Sequence, residues 1–212
     1  MRVDIWSDVV CPWCYVGTAR FTKALAACGR EEQVEVVYRS FELDPGWPAG
    51  QTMPILDMLA SKYRLSLAEA EAAEARVAGL AREEGLGFRT DRLLGNTFDI
   101  HRVLHLGRAQ GFQRHLLDAI YRAYFAGAEP VFEADTLAAV AATAGLDPDD
   151  VKQTLASDDF ADEVRGDEQQ ARELGISGVP FFVFDGRVAV SGAQPTATFT
   201  EVLGQAWRGN DG

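Results

Sequence analysis

The sequence predicts an α/β fold in which one sheet is assembled from both ends of the chain and a long block of helices is inserted between its halves. Three observations carry this. Strand-like patterns occur near the N-terminus and again near the C-terminus. Between them, roughly 100 residues run at helical spacing with no convincing strand period. At the first strand-to-helix turn stands the motif Cys11-Pro12-Trp13-Cys14.

Taken in order, Val3 and Ile5 alternate with Asp4 and Trp6 and form a short strand. Ser7-Asp8-Val9-Val10 leads into the Cys-Pro-Trp-Cys motif. A helix follows, with Tyr15, Phe21, Leu25 and Cys28 towards one side and Gly29 as its stop. Residues 34–41 are β-branched and aromatic and read as a second, buried strand. A Pro/Gly loop covers Asp44 to Gly50. From Met53 to about Asp150 the chain is rich in Ala, Leu, Glu and Arg, with turn signals at Gly85-Leu86-Gly87, Gly111 and Gly145. Phe160 to Leu174 reads as one more helix, closed by Gly175. After Gly178-Val179-Pro180, Phe181 to Phe184 is a strand, Asp185-Gly186 a hairpin turn and Val188 to Val190 the returning strand. A last helix opens at Thr196 or Thr198 and runs through Trp207. The expected division is residues 1–45 and 161–212 as one domain and 46–160 as an insertion, entirely helical and roofing the reactive centre.

Composition narrows the function classes. With 47% apolar and 25% charged residues the chain can bury a core. Its net charge of −12, from 20 basic and 32 acidic residues, repels phosphates and anionic lipid, which argues against nucleic acid and membrane as partners. No run approaches the ~20 apolar residues of a membrane span, and no long apolar stretch opens the chain, so no signal peptide is expected. Three cysteines do not make a secreted disulfide framework. The expected location is the cytoplasm, where a CxxC is catalytic or metal-binding rather than structural.

Residues three apart on a helix share a face, about 5–6 Å between Cβ atoms, within reach of a disulfide after modest rotation. Cys11 would stand at the helix N-terminus, where free N–H groups and the dipole favour a thiolate. Pro12 suits the first turn, where its missing N–H costs nothing. Cys11 is thus the expected nucleophile and Cys14 the resolving thiol. Two other readings of the pair stand beside this one. A CxxC is also half of a zinc site; His101 and His105, four apart, are the residues that would complete it, but no second CxxC exists and no glutamate follows His101. The pair could also be two inert buried thiols. No metal is expected. Val179-Pro180 precedes a strand, and by residue type alone such bonds are cis in only about 5–6% of cases.

Together these residues resemble the DsbA family of thioredoxin-fold proteins, and within it the cytoplasmic FrnE-like branch. The resemblance rests on Asp8 to Cys14 (DVVCPWC), Asn96-Thr97 with His101-Arg102, Ala123-Tyr124-Phe125, Leu174 to Phe182 (LGISGVPFF) and Ser191 to Gln194 (SGAQ), and so spans nearly the whole chain. It implies a thioredoxin-like fold with a large all-helical insertion, Cys11 and Cys14 as the redox pair, and Pro180 as a cis-proline facing them. It places Val179 beside the Cys11 sulfur. It also hints that Asn96 and His101 line a groove between the domains, although Asn96-Thr97 reads first as a helix N-cap. Trp13, inside the CxxC turn, is the residue expected on the apolar rim; Tyr15 and Phe182 read as core.

Some features depart from relatives. Thioredoxin-like proteins often carry a buried acid six residues before the first cysteine, and here that position is Ile5. Asp4 and Asp8 flank it and read first as solvent-exposed or loop-capping residues, with a proton relay as the secondary reading. No cysteine follows Cys28, which reads as a small buried apolar residue.

The expected function is dithiol–disulfide exchange with a protein or small-molecule thiol or disulfide, in which Cys11 forms a mixed disulfide and Cys14 resolves it. No resident cofactor is expected, with glutathione as the one candidate co-substrate. The alternative is a glutathione-dependent isomerase or transferase of the 2-hydroxychromene-2-carboxylate isomerase or kappa-class type, which resembles the same architecture but typically has serine where this chain has Cys11. A non-enzymatic peptide binder is a third class, disfavoured by the intact CxxC. Sequence does not speak to the oligomeric state.

Overall fold

The computed structural model describes residues 1–208. In chain order the elements are β1 (Arg2–Ser7), α1 (Pro12–Ala27), a 3₁₀ turn (Glu31–Gln33), β2 (Glu35–Ser40), β3 (Thr52–Pro54), α2 (Ile55–Tyr63), α3 (Leu67–Glu83), β4 (Leu93–Gly95), α4 (Phe98–Ala109), α5 (Gln113–Tyr121), a π-helical segment (Arg122–Gly127), α6 (Ala134–Thr143), α7 (Pro148–Ala156), α8 (Ala161–Glu173), β5 (Phe181–Phe184), β6 (Val188–Ser191) and α9 (Thr196–Arg208). The chain divides into two compact units, Met1–Leu43 with the stretch from Arg165 onward, and Asp44–Val164.

The first unit carries a four-stranded sheet of order β2-β1-β5-β6. β1 runs parallel to β2, with Arg2 opposite Glu35 and Ser7 opposite Ser40. Parallel neighbours need a crossover, and α1 supplies it. β5 is antiparallel to β1, Val3 facing Phe184 and Trp6 facing Phe181, and β6 returns against β5. The return is tight because Asp185 and Gly186 both adopt positive φ, 48° and 67°, which lets the Arg187 N–H donate to the Phe184 carbonyl at 2.9 Å across them.

Alternation along the strands sends side chains to two faces. On one face Phe21 of α1, Phe182 and Phe184 of β5 and Phe199 of α9 form an aromatic core; Phe182 and Phe199 lie 4.6 Å apart and Phe21 lies 5.5 Å from Phe182. On the other, Trp6, Ala171 and Ile176 pack with Phe41, Val179, Phe181 and Val183. Asp167 of α8 ties this face together. Its carbonyl accepts from Trp6 Nε1 at 3.0 Å, and its carboxylate accepts from Arg39 Nη1 at 2.7 Å and from the Ser40 N–H at 3.0 Å. Gly29, at φ 65°, lets the chain leave α1. Cys28 is the C-cap of that helix, half-buried, with Sγ 2.7 Å from the Leu25 carbonyl oxygen. The buried apolar position expected for it is corrected here, because residue 28 falls where the helix ends and the chain turns outward.

The second unit also departs from expectation. Residues 46–160 are not entirely helical, since β3 and β4 pair antiparallel, Met53 opposite Leu94. Three residues are too few to show a two-residue period, and the two strands lie about forty positions apart in sequence, so no local pattern announces them. Gly95 of β4 packs closely on Phe132, since a Cβ there would stand 3.0 Å from the ring. Ser66 and Glu69 form a reciprocal capping box on α3, and Asp147 caps α7 ahead of Pro148. Arg92 is buried in this unit. Its guanidinium lies 4.3 Å from the Phe88 ring centroid and 4.7 Å from that of Phe125, donates to the Arg89 carbonyl and pairs with Glu74 at 3.0 Å.

Candidate active site

The end of β1 and the start of α1 shape the first half of the site. The Cys11 N–H donates to the Asp8 carbonyl at 3.2 Å, closing the turn between strand and helix. Cys11 itself is the N-cap of α1, with extended backbone and Pro12 behind it. Its carbonyl accepts from the N–H groups of Cys14, at 3.1 Å, and Tyr15, at 3.2 Å, so both cysteines lie on the first turn. Cys11 is 3% exposed and Cys14 is 0% exposed, whereas Trp13 between them is 39% exposed. The two sulfurs are thiols and are not bonded to each other.

The second half comes from the far end of the sequence. The Val179–Pro180 bond is cis, and the Val179 carbonyl oxygen lies 3.7 Å from Cys11 Sγ. The Pro180 carbonyl accepts from the Gly192 N–H at 2.8 Å, and the next residue, Ala193, accepts through its carbonyl from Arg20 Nη1 at 2.9 Å. Residues 191–194 therefore brace the proline loop against α1. Gly17 sets the spacing: a Cβ there would stand 2.9 Å from Pro180 Cγ and 3.3 Å from Ala193 Cα.

Burial pushes the Cys14 thiol well above its ordinary range, and the hydrogen bond and charge of Cys11 add to that. The Asp8 backbone N–H pulls the other way, while the Asp8 carboxylate adds to the rise. Cys14 therefore stays protonated while Cys11, at the helix end, is the sulfur that meets the Val179 backbone.

A strand-turn-helix bearing two cysteines, faced by a cis-proline at the start of an inner strand of a four-stranded mixed sheet, can be compared directly with known proteins. A family model for the DSBA-like thioredoxin domain matches residues 2–204. The chain belongs to this family.

Solved structures agree with the DSBA-like assignment. A probable DsbA oxidoreductase from Streptomyces coelicolor is 52% identical and superposes with a TM-score of 0.94, over 98% of this chain and 90% of that one. A 2-hydroxychromene-2-carboxylate isomerase superposes with a TM-score of 0.75 at 16% identity, over 100% of this chain and 98% of that one. The cytosolic disulfide reductase DsbM from Pseudomonas aeruginosa, with glutathione, gives 0.69 at 16% identity, over 98% and 100%. At 16% identity the last two share the fold, and the chemistry of each is its own.

In this DSBA-like chain the structure brings Cys11, Cys14, Val179 and Pro180 together, with Trp13 at the surface of the same turn. Tyr15 and Phe182 are buried, as their core reading requires. Asn96 and His101 belong to the helical unit. Asn96 is used locally: its Nδ2 donates to the Trp47 carbonyl at 2.8 Å and its Oδ1 accepts the Phe98 N–H at 2.9 Å, so it, and not the Thr97 side chain, caps α4. His101 and His105 are buried on α4. Among the described residues no three His, Cys, Asp or Glu side chains are grouped as metal ligands, and no helix is long and apolar enough to cross a membrane.

One residue of the site is more buried than the sequence suggests, and one is a residue that the sequence reading misses. Asp8, expected at the surface or as a loop cap, is 1% exposed, with Oδ2 accepting the Leu43 N–H at 2.8 Å. Gly17 was unremarked; its signal was available, since a glycine inside a helical pattern weakens the helix unless packing demands it.

Proposed function

We propose that this protein is a thiol–disulfide oxidoreductase of the cytoplasmic FrnE-like branch, exchanging its Cys11–Cys14 dithiol with protein or small-molecule disulfides. The observation that carries this is the pairing of Cys11 Sγ, 3.7 Å from the Val179 carbonyl, with a second thiol buried three residues on. The Cys11 thiolate attacks a substrate disulfide, one substrate sulfur leaves as thiolate, and a mixed disulfide forms. Cys14 then loses its proton and attacks Cys11, the mixed disulfide breaks and the second substrate thiolate departs. Cys11 and Cys14 are the reacting groups. Pro180 and Val179 present backbone to the substrate beside Cys11, and Trp13 offers it an apolar rim. Glutathione enters as a co-substrate and not as a resident cofactor, a role supported by the glutathione-bound DsbM of the same fold.

A second function is favoured by one observation, the fold shared with the 2-hydroxychromene-2-carboxylate isomerase. Replacing Cys14 with serine separates the two. Exchange requires that Cys14→Ser form mixed disulfides with cytosolic proteins or glutathione and fail to release them, as seen by non-reducing electrophoresis and mass spectrometry. Cys28 does not substitute, because seventeen residues of helix at ~1.5 Å each put it roughly 25 Å away. Cys11→Ser should trap nothing and lose insulin reduction. An isomerase would instead keep near-normal turnover in Cys14→Ser with no trapped adduct, and that outcome would overturn the exchange function.

A further inference from the structure

The turn that follows β6 is shaped by side chains. β6 ends at Ser191, and Gly192 takes the chain out of the strand with φ 81°. Two carbonyls of the turn accept from side chains: Ser191 from Gln194 Nε2 at 2.8 Å, and Ala193 from Arg20 Nη1 at 2.9 Å. The Gln194 bond closes the turn on itself. The Arg20 bond ties it to α1, across 173 positions of sequence. Between the two, the Gly192 N–H holds the Pro180 carbonyl at 2.8 Å. The residue before Pro180 is Val179, whose carbonyl lies 3.7 Å from Cys11 Sγ. An unbroken run of contacts therefore leads from Arg20 to the backbone beside the reactive sulfur.

Gly17 and Arg20 are three apart and share the face of α1 that meets this turn. Gly17 fixes how closely the helix approaches Pro180 and Ala193, but packing of this kind has no direction. The guanidinium bond supplies direction, because an N–H donor must point at the carbonyl oxygen it serves. Arg20 stands nine residues beyond Cys11, roughly 14 Å along the helix at ~1.5 Å per residue, and its bond is to the turn and not to either sulfur.

We propose that Arg20 is a positioning residue for protein substrates: through Ala193 and Gly192 it holds the Val179–Pro180 backbone where a disulfide-bearing polypeptide docks, and so sets affinity for protein disulfides without setting the reactivity of Cys11. This role rests on the exchange function proposed above. A polypeptide that lies along the Val179 backbone binds best when that backbone is already fixed; a loosened loop has to be ordered on binding, which lowers affinity. A small aryl disulfide has no chain to lay there and needs only Cys11.

The test uses the full chain and two substrates. Insulin reduction, with dithiothreitol as the recycling reductant, gives kcat and KM. The reduced chain mixed with dithiobis-nitrobenzoate gives the rate of Cys11 attack, read from the first coloured thiolate released. Arg20→Met keeps an apolar stem but has no donor for Ala193. Its KM for insulin should rise about tenfold, the scale of one lost hydrogen bond. Its kcat should stay within about twofold, as expected when only binding is lost, and its aryl disulfide rate within about threefold. Arg20→Lys keeps a cationic donor and should lie between native and Arg20→Met; it also serves if Arg20→Met does not fold. Loss of folded protein alone would lower kcat and the aryl rate together and leave KM where it was. An unchanged insulin KM, an aryl rate that falls as far as the insulin rate, or an Arg20→Lys protein no better than Arg20→Met each overturns the role of Arg20. Failure of the exchange function looks different: the native chain then reduces no insulin and Cys14→Ser traps no cytosolic partner.

Discussion

Gly17 and Pro180 are so close that a methyl group on the glycine would lie 2.9 Å from the proline Cγ. The neighbours on that side are a ring and the Ala193 backbone, neither of which yields as a flexible side chain does. Gly17→Ala should therefore push the proline loop away from α1. Overpacking of this kind costs about 1–3 kcal/mol, read as a lower urea midpoint. Because the same loop carries Val179 to Cys11, the variant should also lose disulfide-exchange rate more than its stability loss explains. Retention of both native stability and native rate would show that the contact is slack.

Asp167 and Asp4 both pair with Arg39, but they are not equivalent. Asp167 is buried and also holds the Ser40 N–H, whereas Asp4 is partly open and shares its charge with Arg2. Asp167→Ala leaves Arg39 only Asp4 and takes the acceptor from the buried Ser40 N–H, and should cost about 1–3 kcal/mol. Asp4→Ala leaves Arg39 its better partner and should cost under about 1 kcal/mol. Equal midpoints for the two variants in denaturant titration would contradict this order.

Glu74 and Arg92 make a buried pair in which burial outweighs attraction, so the Glu74 carboxyl titrates above its ordinary value despite the arginine. An acid whose folded value is raised binds its proton more tightly in the folded state. Its contribution is fully present below the ordinary carboxyl value of about 4.3 and is lost as pH rises through the folded value. Glu74→Gln keeps an acceptor for Arg92, sheds the buried charge and should cost less than about 1 kcal/mol at neutral pH. It should also flatten this part of the stability–pH curve. Glu74→Ala leaves Arg92 unpaired and should cost about 3 kcal/mol.

Cys14 obeys the same sign rule at the alkaline end. Its thiol is held well above the ordinary range by burial, then by Cys11. The fold thus favours the protonated form, and stability of the reduced protein should fall as pH climbs past the ordinary thiol value of about 8.5. Cys14→Ser has no proton to lose there and should lack that slope. Denaturant midpoints measured under reductant across the alkaline range decide it, and parallel curves for the two proteins would rule the assignment out.

By itself the sequence determined what depends on local spacing. The strand ahead of Cys11, the Pro12 helix start and the Asp185-Gly186 turn are set within a few residues, where periodicity and backbone preference act directly. The resemblance across the chain then supplied the thioredoxin-like class. Tertiary structure decided what depends on residues far apart in sequence. Val179 reaches Cys11 across 168 positions, Arg39 meets Asp167 across 128, and β3 finds β4 only once the helices between them have folded back. Asp8 is polar and lies in a turn, so composition marks it as a surface residue. It becomes buried because α1 and the Leu43 backbone close over it, and burial is a property of the packed chain that no short window of residues encodes.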